Sequence, residues 1–152
     1  MADISGFGVV ITILASKTLK TPVPVMNLPK DTDPVGISEN VIGDAETGVN
    51  GEIISWSTNN PLEFTLAMIP NSLADQVLYN IAKANRPTLG QRPAGDVITI
   101  SMIYPDGSTL NYTGGKMTSF TPAPGISGDG KLKTPQYKFM FQDCTRTPAI
   151  LP

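Results

Sequence analysis

A chain of 152 residues with 40% apolar side chains is long enough to form one domain around its own core, and that domain is predicted to span residues 1–152. The single cysteine excludes an internal disulfide framework, and the absence of histidine excludes imidazole metal ligands and every Ser-His or Cys-His catalytic arrangement. The formal net charge is −2 and the basic residues are few and scattered, which argues against a specific reader of nucleic acids; no apolar run is long enough to cross a membrane.

The first quarter of the chain predicts strands separated by proline-rich loops. Residues 7–15 are apolar on nearly both faces, which is typical of a central or interface-forming strand. Residues 16–36 contain four prolines, so only a short extended piece over residues 23–28 is predicted there. A weaker strand over residues 37–42 and a turn over residues 44–51 follow.

Two strands are predicted to form a hairpin in the middle of the chain. Residues 52–57 form the first, with Trp56 as a core or interface aromatic residue. The turn over residues 58–61 leads to a second strand over residues 62–69, where apolar and polar residues alternate with the period of a half-buried strand. Glu52 and Glu63 flank this hairpin.

One helix is predicted, over residues 73–84. Ser72 is its expected N-cap, and Asp75 places a favourable negative charge in the first turn. Apolar residues recur at helical spacing along one face. Asn85 and Pro87 end the helix.

The C-terminal half predicts three further strands. The first covers residues 96–104 and is followed by a proline–glycine hairpin turn over residues 105–108. The second, over residues 110–121, contains a Gly-Gly pair that marks a bulge or a close backbone approach. The third covers residues 131–142 and places three aromatic side chains on one face. The whole predicts a mainly β fold, a sandwich or barrel of about eight strands with one flanking α-helix.

Charge is distributed unevenly along the chain. Residues 1–30 carry three lysines against one aspartate, a sum of +2. Residues 31–82 carry eight carboxylates and no basic residue, a sum of −8, whereas residues 83–152 carry eight basic residues against four aspartates, a sum of +4. Such segregation favours head-to-tail self-association or a surface that repels a polyanion.

No motif for catalysis or cofactor binding is found, so no catalytic residue, cofactor or metal site is predicted. Cys144 has no basic partner defined by the sequence and is interpreted as an idle thiol. Asp31 and Asp33 lack the remaining ligand positions of a calcium-binding loop. Glu52 and Glu63 could pair as two carboxylates across the predicted hairpin, but a solvated polar face explains them more simply.

Several short segments occur along the chain in a specific order. They are Ser5-Gly6-Phe7-Gly8, Asp31-Thr32-Asp33-Pro34, Asn50-Gly51-Glu52-Ile53-Ile54-Ser55-Trp56-Ser57, Tyr104-Pro105-Asp106-Gly107-Ser108, Gly114-Gly115 and Gly130-Lys131-Leu132-Lys133-Thr134. Each is a common strand or turn string, but together they resemble the tail tube proteins of contractile-tailed bacteriophages. The resemblance covers residues 5–141, whereas the segment past Cys144, residues 145–152, matches nothing in that family and is expected to be extended.

The resemblance implies a structural role. Members of that family close as six copies into a ring, stack into a hollow tube, and join strands across subunits into a barrel that lines the channel. The implied partners are the tail sheath protein, baseplate or tail-initiator and terminator proteins, and, in the bore, the tape-measure protein and transiting DNA. The implied location is the tail tube of the virion, assembled in the host cytoplasm.

Three sets of residues are assigned hypothetical roles in such a tube. The bore-facing carboxylates are predicted to be Glu39, Glu52 and Glu63, from strands over residues 37–42, 52–57 and 62–69. The loop over residues 29–36 is predicted to reach the neighbouring ring through Lys30, Asp31 and Asp33. The outer face of the helix is predicted to meet a neighbour or the sheath through Tyr79, Lys83 and Arg86.

Two other classes of function remain open. A tube initiator, a tail terminator or a tube of a secretion system or bacteriocin shares the fold and differs in whether rings stack without limit. A monomeric β-sandwich that binds a ligand or acts as an enzyme needs a deep polar pocket.

Overall fold

The computed structural model describes residues 9–19, 21–25, 28–29 and 34–148. Within these ranges, ten strands and one helix follow one another along the chain. They are β1 (Val10–Ala15), β2 (Val23–Val25), β3 (Val35–Ile37), β4 (Gly43–Thr47), β5 (Ile53–Ser57), β6 (Leu62–Ala67), α1 (Leu73–Asn85), β7 (Ile98–Ile103), β8 (Thr109–Phe120), β9 (Gln136–Phe141) and β10 (Asp143–Thr147). In the described part of the chain, no helix has the length and apolar character needed to span a membrane.

Eight of these strands form one antiparallel sheet that is divided by its longest strand. The order is β2-β1-β7-β8-β9-β6-β3, and β10 also pairs with β8. The start of β8 pairs with β7 and β10, whereas its end, from Lys116 to Phe120, pairs with β9. We call β2, β1, β7, β10 and the start of β8 the first half-sheet. The end of β8, together with β9, β6 and β3, is the second half-sheet.

The division of β8 falls at two adjacent glycines, Gly114 and Gly115. Gly114 has a φ of +65°, in the left-handed region, and the register with β7 shifts beside it. A Cβ on Gly115 would lie 2.2 Å from the ring of Phe141, so the aromatic side chain of β9 needs a glycine there. The predicted bulge and close approach are confirmed.

One hydrophobic core lies between the two half-sheets. Phe64 of the second half-sheet meets Tyr112 of the first with ring centroids 5.0 Å apart, and it also contacts Phe139 and Phe141. The remaining large core side chains are apolar and fully buried; they include Ile11, Ile13, Leu66, Met68, Leu78, Ile81, Ile98 and Ile100. The fold is therefore a β-sandwich with one helix, as the sequence predicts.

Helix α1 begins and ends where the sequence indicates. The Ser72 side chain accepts a hydrogen bond from the backbone N–H of Asp75 at 3.3 Å, and the helix ends at Asn85. The Tyr137 hydroxyl donates to Asp75 Oδ1 at 2.6 Å and thereby attaches the first turn to β9. Burial raises the pKa of Tyr137, and the bond to Asp75 raises it further.

Asp96 is a buried carboxylate that joins the end of β1 to the end of α1. It accepts hydrogen bonds from the backbone N–H groups of Lys17 at 2.6 Å and Thr18 at 2.9 Å, and from Asn85 Nδ2 at 2.7 Å. The Thr18 hydroxyl donates to it as well. Burial alone raises the pKa of Asp96, but these hydrogen bonds outweigh burial and hold the pKa below its ordinary value.

Two predictions about the middle of the chain are wrong. Residues 37–42 do not form a strand, because β3 ends at Ile37 and side-chain hydrogen bonds from Asn40 and Asn60 hold the following residues. The predicted hairpin of residues 52–57 with residues 62–69 does not form either. Instead β5 pairs with β4, and β6 pairs with β3 and β9.

The hairpin that forms instead is closed by the turn between β4 and β5. Gly51, with a φ of +82°, and the bond from the Gly48 N–H to the Glu52 carbonyl at 2.7 Å close a tight turn before β5. Residues 44–47, predicted as part of a turn, are strand β4 as a result. Strand β10 was not predicted either, because only a bend at the single residue Gln142 separates it from β9.

Candidate assembly surfaces

The described residues hold no group of three or more Cys, Asp or Glu side chains that could bind a metal ion. Cys144 is half-buried, and burial raises the pKa of its thiol. Burial, with Cys144 beside it, raises the pKa of Tyr112 to about 12. Both groups are therefore protonated at neutral pH and are poor nucleophiles.

The most unusual surface is the hairpin of β4 and β5, which forms its own two-stranded sheet. Every residue of β5 is exposed, including Ile53 at 75%, Ile54 at 54% and Trp56 at 44%. At its base, the Thr58 N–H donates to the Ile42 carbonyl at 3.0 Å. A two-stranded hairpin without further packing is only marginally stable in water, so this surface is suited to contact another molecule.

One face of this hairpin combines apolar and acidic side chains. Asp44 lies directly opposite Trp56, and Glu46 lies directly opposite Ile54. Directly opposed residues of an antiparallel pair project to the same side. We call the surface formed by these four residues the acidic–apolar face.

The second half-sheet has two edges without a strand partner in the described chain. One is β3, which pairs only with β6. The other is the end of β8, which pairs only with β9 and borders a groove of about 340 Å³ between itself and the end of α1. Unpaired edges expose rows of backbone N–H and C=O groups that another chain can pair with.

The three predicted bore-facing carboxylates lie in three different contexts. Glu63 is exposed on β6, opposite Met140 of β9, and Glu39 is exposed in the segment after β3. Glu52 lies in the turn of the β4–β5 hairpin, outside the second half-sheet. The two carboxylates therefore do not pair across a hairpin, and both are exposed, as the simpler interpretation of a solvated polar face predicted.

The outward face that carries Glu63 is of mixed sign. On that face, Lys138 lies opposite Thr65 of β6, and Lys116 lies opposite Met140. All three charged side chains are exposed. This face is therefore not uniformly acidic, although it lies next to the acidic segment of the sequence.

The other predicted contact residues are placed as follows. On α1 and just after it, Tyr79, Lys83 and Arg86 are exposed, and the Tyr79 ring packs edge-on to Phe120 with centroids 6.4 Å apart. Lys30, Asp31 and Asp33 lie outside the described residues.

The sequence did not identify the acidic–apolar face or the two open edges as sites. Two features of the sequence point to the acidic–apolar face: residues 31–82 contain no Lys or Arg, and Ile54 and Trp56 alternate with polar residues. That alternation is the same whether the side chains enter a core or remain exposed, so only the structure identifies this strand as a free surface.

Comparisons with known proteins identify the family of the chain. A model of the family described as tail fiber protein gp32 matches residues 2–145. No curated protein matches the chain.

Several solved structures have a similar fold. A chain of the anti-feeding prophage baseplate is 9% identical, with 99% of each chain covered and a TM-score of 0.60. A chain of the sheath–tube complex of the extracellular contractile injection system PVC, in the extended state, is 16% identical, with 97% of this chain and 93% of that chain covered and a TM-score of 0.57. A chain of the cap that terminates the anti-feeding prophage tube is 17% identical, with 98% and 93% covered and a TM-score of 0.57.

At such identities the similarity shows the fold alone, and it confirms the resemblance to tail tube proteins at that level. The family match covers most of the chain. The chain therefore belongs to the tail fiber protein gp32 family, with a fold shared by components of contractile injection systems.

Proposed function

We propose that this chain is a non-enzymatic, single-domain subunit of the inner tail tube of a contractile tail. Six copies close into a ring, the rings stack, and the tube conducts DNA during ejection. The observation that carries this proposal is the β4–β5 hairpin, whose apolar side chains are exposed and whose strands, among the described residues, pair only with each other. Burying one such side chain contributes about 1.5–3 kcal/mol, so a second copy that covers the hairpin stabilises the assembly.

The two open edges of the second half-sheet support ring closure. Pairing β3 of one copy with the end of β8 of the next continues the sheet across the subunit boundary. Repetition of this contact closes a barrel, and closure removes the exposed edges that otherwise promote aggregation.

Replacement of Ile37 by proline is expected to prevent ring closure while preserving the fold. The Ala67 N–H donates to the Pro34 carbonyl at 2.9 Å, so by alternation the N–H of Ile37 points away from β6, toward the open edge. Proline removes that donor without removing a bond to β6. Negative-stain microscopy should show small particles in place of tubes.

The matched control is Ile37→Thr, which shortens the side chain but keeps the N–H, and it should form tubes of normal width. Tubes formed by Ile37→Pro with unchanged thermal stability would contradict the assignment of β3 to the ring contact.

The outward face of the second half-sheet is the proposed bore wall. Glu63 lies on it, Glu39 lies beside it, and Glu52 in the hairpin turn adds negative charge at its rim. A wall of mixed or negative sign binds a polyanion weakly, which lets DNA pass.

Replacement of Glu63 by lysine is expected to slow DNA ejection. It would leave only positive charge on this face, beside Lys116 and Lys138, and each added phosphate contact strengthens nonspecific binding. The measurement is the rate of DNA release from particles that carry the variant. Glu63→Gln is the control for lost negative charge, and an unchanged rate with Glu63→Lys in tubes of normal length rejects the assignment.

Contacts outside the bore follow from the same arrangement. The exposed side chains of Tyr79, Lys83 and Arg86 are proposed to meet a neighbouring subunit or the sheath protein. The loop with Lys30, Asp31 and Asp33 is proposed to approach the neighbouring ring. Further proposed partners are the baseplate, initiator, terminator and tape-measure proteins, in a virion tail assembled in the host cytoplasm.

A cap or terminator is the second candidate, because one of the similar folds belongs to a tube-terminating cap. A tube initiator or a secretion-system tube shares the same contacts. Negative-stain microscopy of the purified chain distinguishes these functions. Long hollow filaments indicate a tube subunit, single rings indicate an initiator or terminator, and small particles at high concentration contradict assembly.

A further inference from the structure

We propose that Asn50, in the turn between β4 and β5, is a site of spontaneous deamidation, at which the free subunit loses the side-chain amide to water. Asparagine is one of the thermolabile residues of proteins, and Asn50 is the only asparagine of the chain that precedes a glycine. Both Asn50 and Gly51 are exposed, and the hairpin that carries them forms its own two-stranded sheet. Water is the only co-reactant, so the reaction needs no enzyme.

The reaction joins two atoms of neighbouring residues. After hydroxide removes its proton, the backbone nitrogen of Gly51 attacks the side-chain Cγ of Asn50. The bond from Cγ to Nδ2 breaks, and ammonia leaves with a proton from water. Water then opens the five-membered imide at either of its two carbonyl carbons. One opening gives aspartate, and the other gives isoaspartate, in which the main chain runs through the side-chain carbon; no oxidant or reductant is consumed.

The space around the attacking nitrogen is open. A Cβ placed on Gly51 would meet no described atom within 4 Å apart from those of the adjoining residues. Glycine itself presents no side chain that could hinder the approach of the Asn50 Cγ. The nitrogen and the carbon that must meet are therefore accessible both to each other and to solvent.

The closed turn restrains the reaction, so the hairpin has to open first. The Gly51 N–H donates to the Gly48 carbonyl at 3.0 Å, and the Gly48 N–H donates to the Glu52 carbonyl at 2.7 Å. The first of these bonds holds the proton that the nitrogen must lose. Because a two-stranded hairpin outside a larger sheet is only marginally stable, its local opening costs little free energy. Opening releases the Gly51 nitrogen and lets the ring close.

Two aspartates that also precede glycines, Asp106 and Asp129, are much less reactive. Cyclisation at an aspartate requires the neutral carboxylic acid, because an ionised carboxylate resists attack by a nucleophile. A hydrogen bond from Ser108 lowers the pKa of Asp106, and one from Ser127 lowers the pKa of Asp129. Both carboxylates are therefore ionised at neutral pH, whereas the amide of Asn50 is neutral at every pH.

Isoaspartate at this position is expected to disturb the hairpin. It adds a carbon atom to the main chain inside a turn that two hydrogen bonds close, and it adds a negative charge beside Glu46 and Glu52. The register of β4 with β5, which places Asp44 opposite Trp56, depends on that turn. The consequence for assembly rests on the proposed function, since a subunit that is modified before assembly loses the surface that would meet a second copy.

Peptide mapping of the dispersed chain tests the modification. The protein is incubated at neutral pH in water enriched in heavy oxygen, digested at intervals and analysed by mass spectrometry. The peptide with Asn50 is expected to exchange its amide nitrogen for a solvent oxygen at least about tenfold faster than the peptide with Asn80, which corresponds to a barrier lower by about 1.4 kcal/mol. Asn80 is an exposed asparagine followed by isoleucine. The rate at Asn50 should rise in proportion to the hydroxide concentration.

The matched control is Asn50→Gln, which keeps the amide but makes ring closure unfavourable, and it should show no conversion. Equal rates at Asn50 and Asn80 would overturn the inference. Conversion that occurs only after unfolding in urea would overturn it as well, because the folded turn would then protect the amide.

Tube formation is measured separately by negative-stain microscopy. Incubated protein should form fewer tubes than fresh protein, whereas incubated Asn50→Gln should form as many as before incubation. Normal tubes from protein that contains isoaspartate would show that the consequence for assembly is wrong, while the modification itself would stand. The absence of tubes from fresh protein counts against the proposed function alone.

Discussion

Replacement of both Ile54 and Trp56 by glutamate is expected to abolish assembly while leaving the fold of the subunit unchanged. Both side chains are exposed, and they lie on one face of a hairpin that contributes nothing to the core. Changes at such positions usually alter the free energy of unfolding by less than about 0.5 kcal/mol. The expected loss is therefore confined to contacts between copies.

The size of this effect follows from the apolar surface that assembly buries. Two large side chains contribute about 3–6 kcal/mol to each contact, which corresponds to a change of about 100-fold or more in its association constant. Every subunit repeats the contact, so tubes should be lost entirely at concentrations where the unaltered chain forms them. Sedimentation velocity and negative-stain microscopy measure this loss, and circular dichroism reports whether the fold is retained.

Leu89 provides a matched control because it is an exposed large apolar residue in a loop far along the chain from the hairpin. Leu89→Glu adds one negative charge and removes one large apolar side chain, which is half of the change made in the double variant, and it should leave assembly unchanged. Normal tubes from the Ile54→Glu, Trp56→Glu variant would remove the main support for the proposed function. Loss of the folded signal in that variant would show that the hairpin stabilises the subunit itself.

Replacement of Asp96 by asparagine is expected to destabilise the subunit by about 2–4 kcal/mol. The carboxylate is only 5% exposed and accepts hydrogen bonds from two backbone N–H groups and from the side chains of Thr18 and Asn85. Asparagine keeps one acceptor oxygen for the two backbone N–H groups, but its NH2 group replaces the oxygen that accepts from the Thr18 hydroxyl and from Asn85 Nδ2, so the buried N–H of Asn85 loses its acceptor. The measurement is urea unfolding of the dispersed subunit.

The same residue predicts how stability depends on pH. Its folded-state pKa lies below the unfolded value of about 3.9, so the stabilisation is fully present above that pH. It is lost as the pH falls through about 3.9 toward the lowered folded-state pKa. The decline in unfolding free energy between about pH 5 and about pH 3 should therefore be less steep in Asp96→Asn than in the unaltered chain.

Asp129 is the control for this prediction because it is an exposed aspartate that accepts hydrogen bonds only within its own loop. Asp129→Asn should change the free energy of unfolding by less than about 0.5 kcal/mol at neutral pH. Equal stability of Asp96→Asn and the unaltered chain at neutral pH would show that the buried hydrogen bonds contribute nothing net.

Local sequence patterns correctly predicted the elements that are fixed by interactions between residues close together in the chain. The N-cap at Ser72, the end of α1 at Asn85 and the turn around Gly107 were each predicted correctly. In each case the interacting groups are at most a few residues apart in the chain. The aromatic face of β9 was also predicted, because period-two alternation specifies which side of a strand is buried.

Predictions failed where partner choice depends on distant residues. Residues 52–57 could form a hairpin with residues 62–69, which follow them, or with β4, which precedes them. Both hairpins have acceptable turn residues. Pairing of β6 with β3 and β9 places Phe64 in the aromatic core, and this long-range packing decides between them. Strand propensity cannot make that choice, because it reflects the surroundings of a strand more than its own sequence.

The sequence by itself determined the mainly β class, the one helix with its boundaries, and the separation of acidic from basic segments, because these depend on periodicity, capping and composition. Only the tertiary structure decided which strands lie in the core and which project from it. Ile54 and Trp56 alternate just as Phe64 and Leu66 do, yet the first pair is exposed and the second is fully buried. The difference arises because β6 pairs with a strand on each side within the sandwich, whereas among the described residues β5 pairs only with β4 and its apolar side chains are exposed.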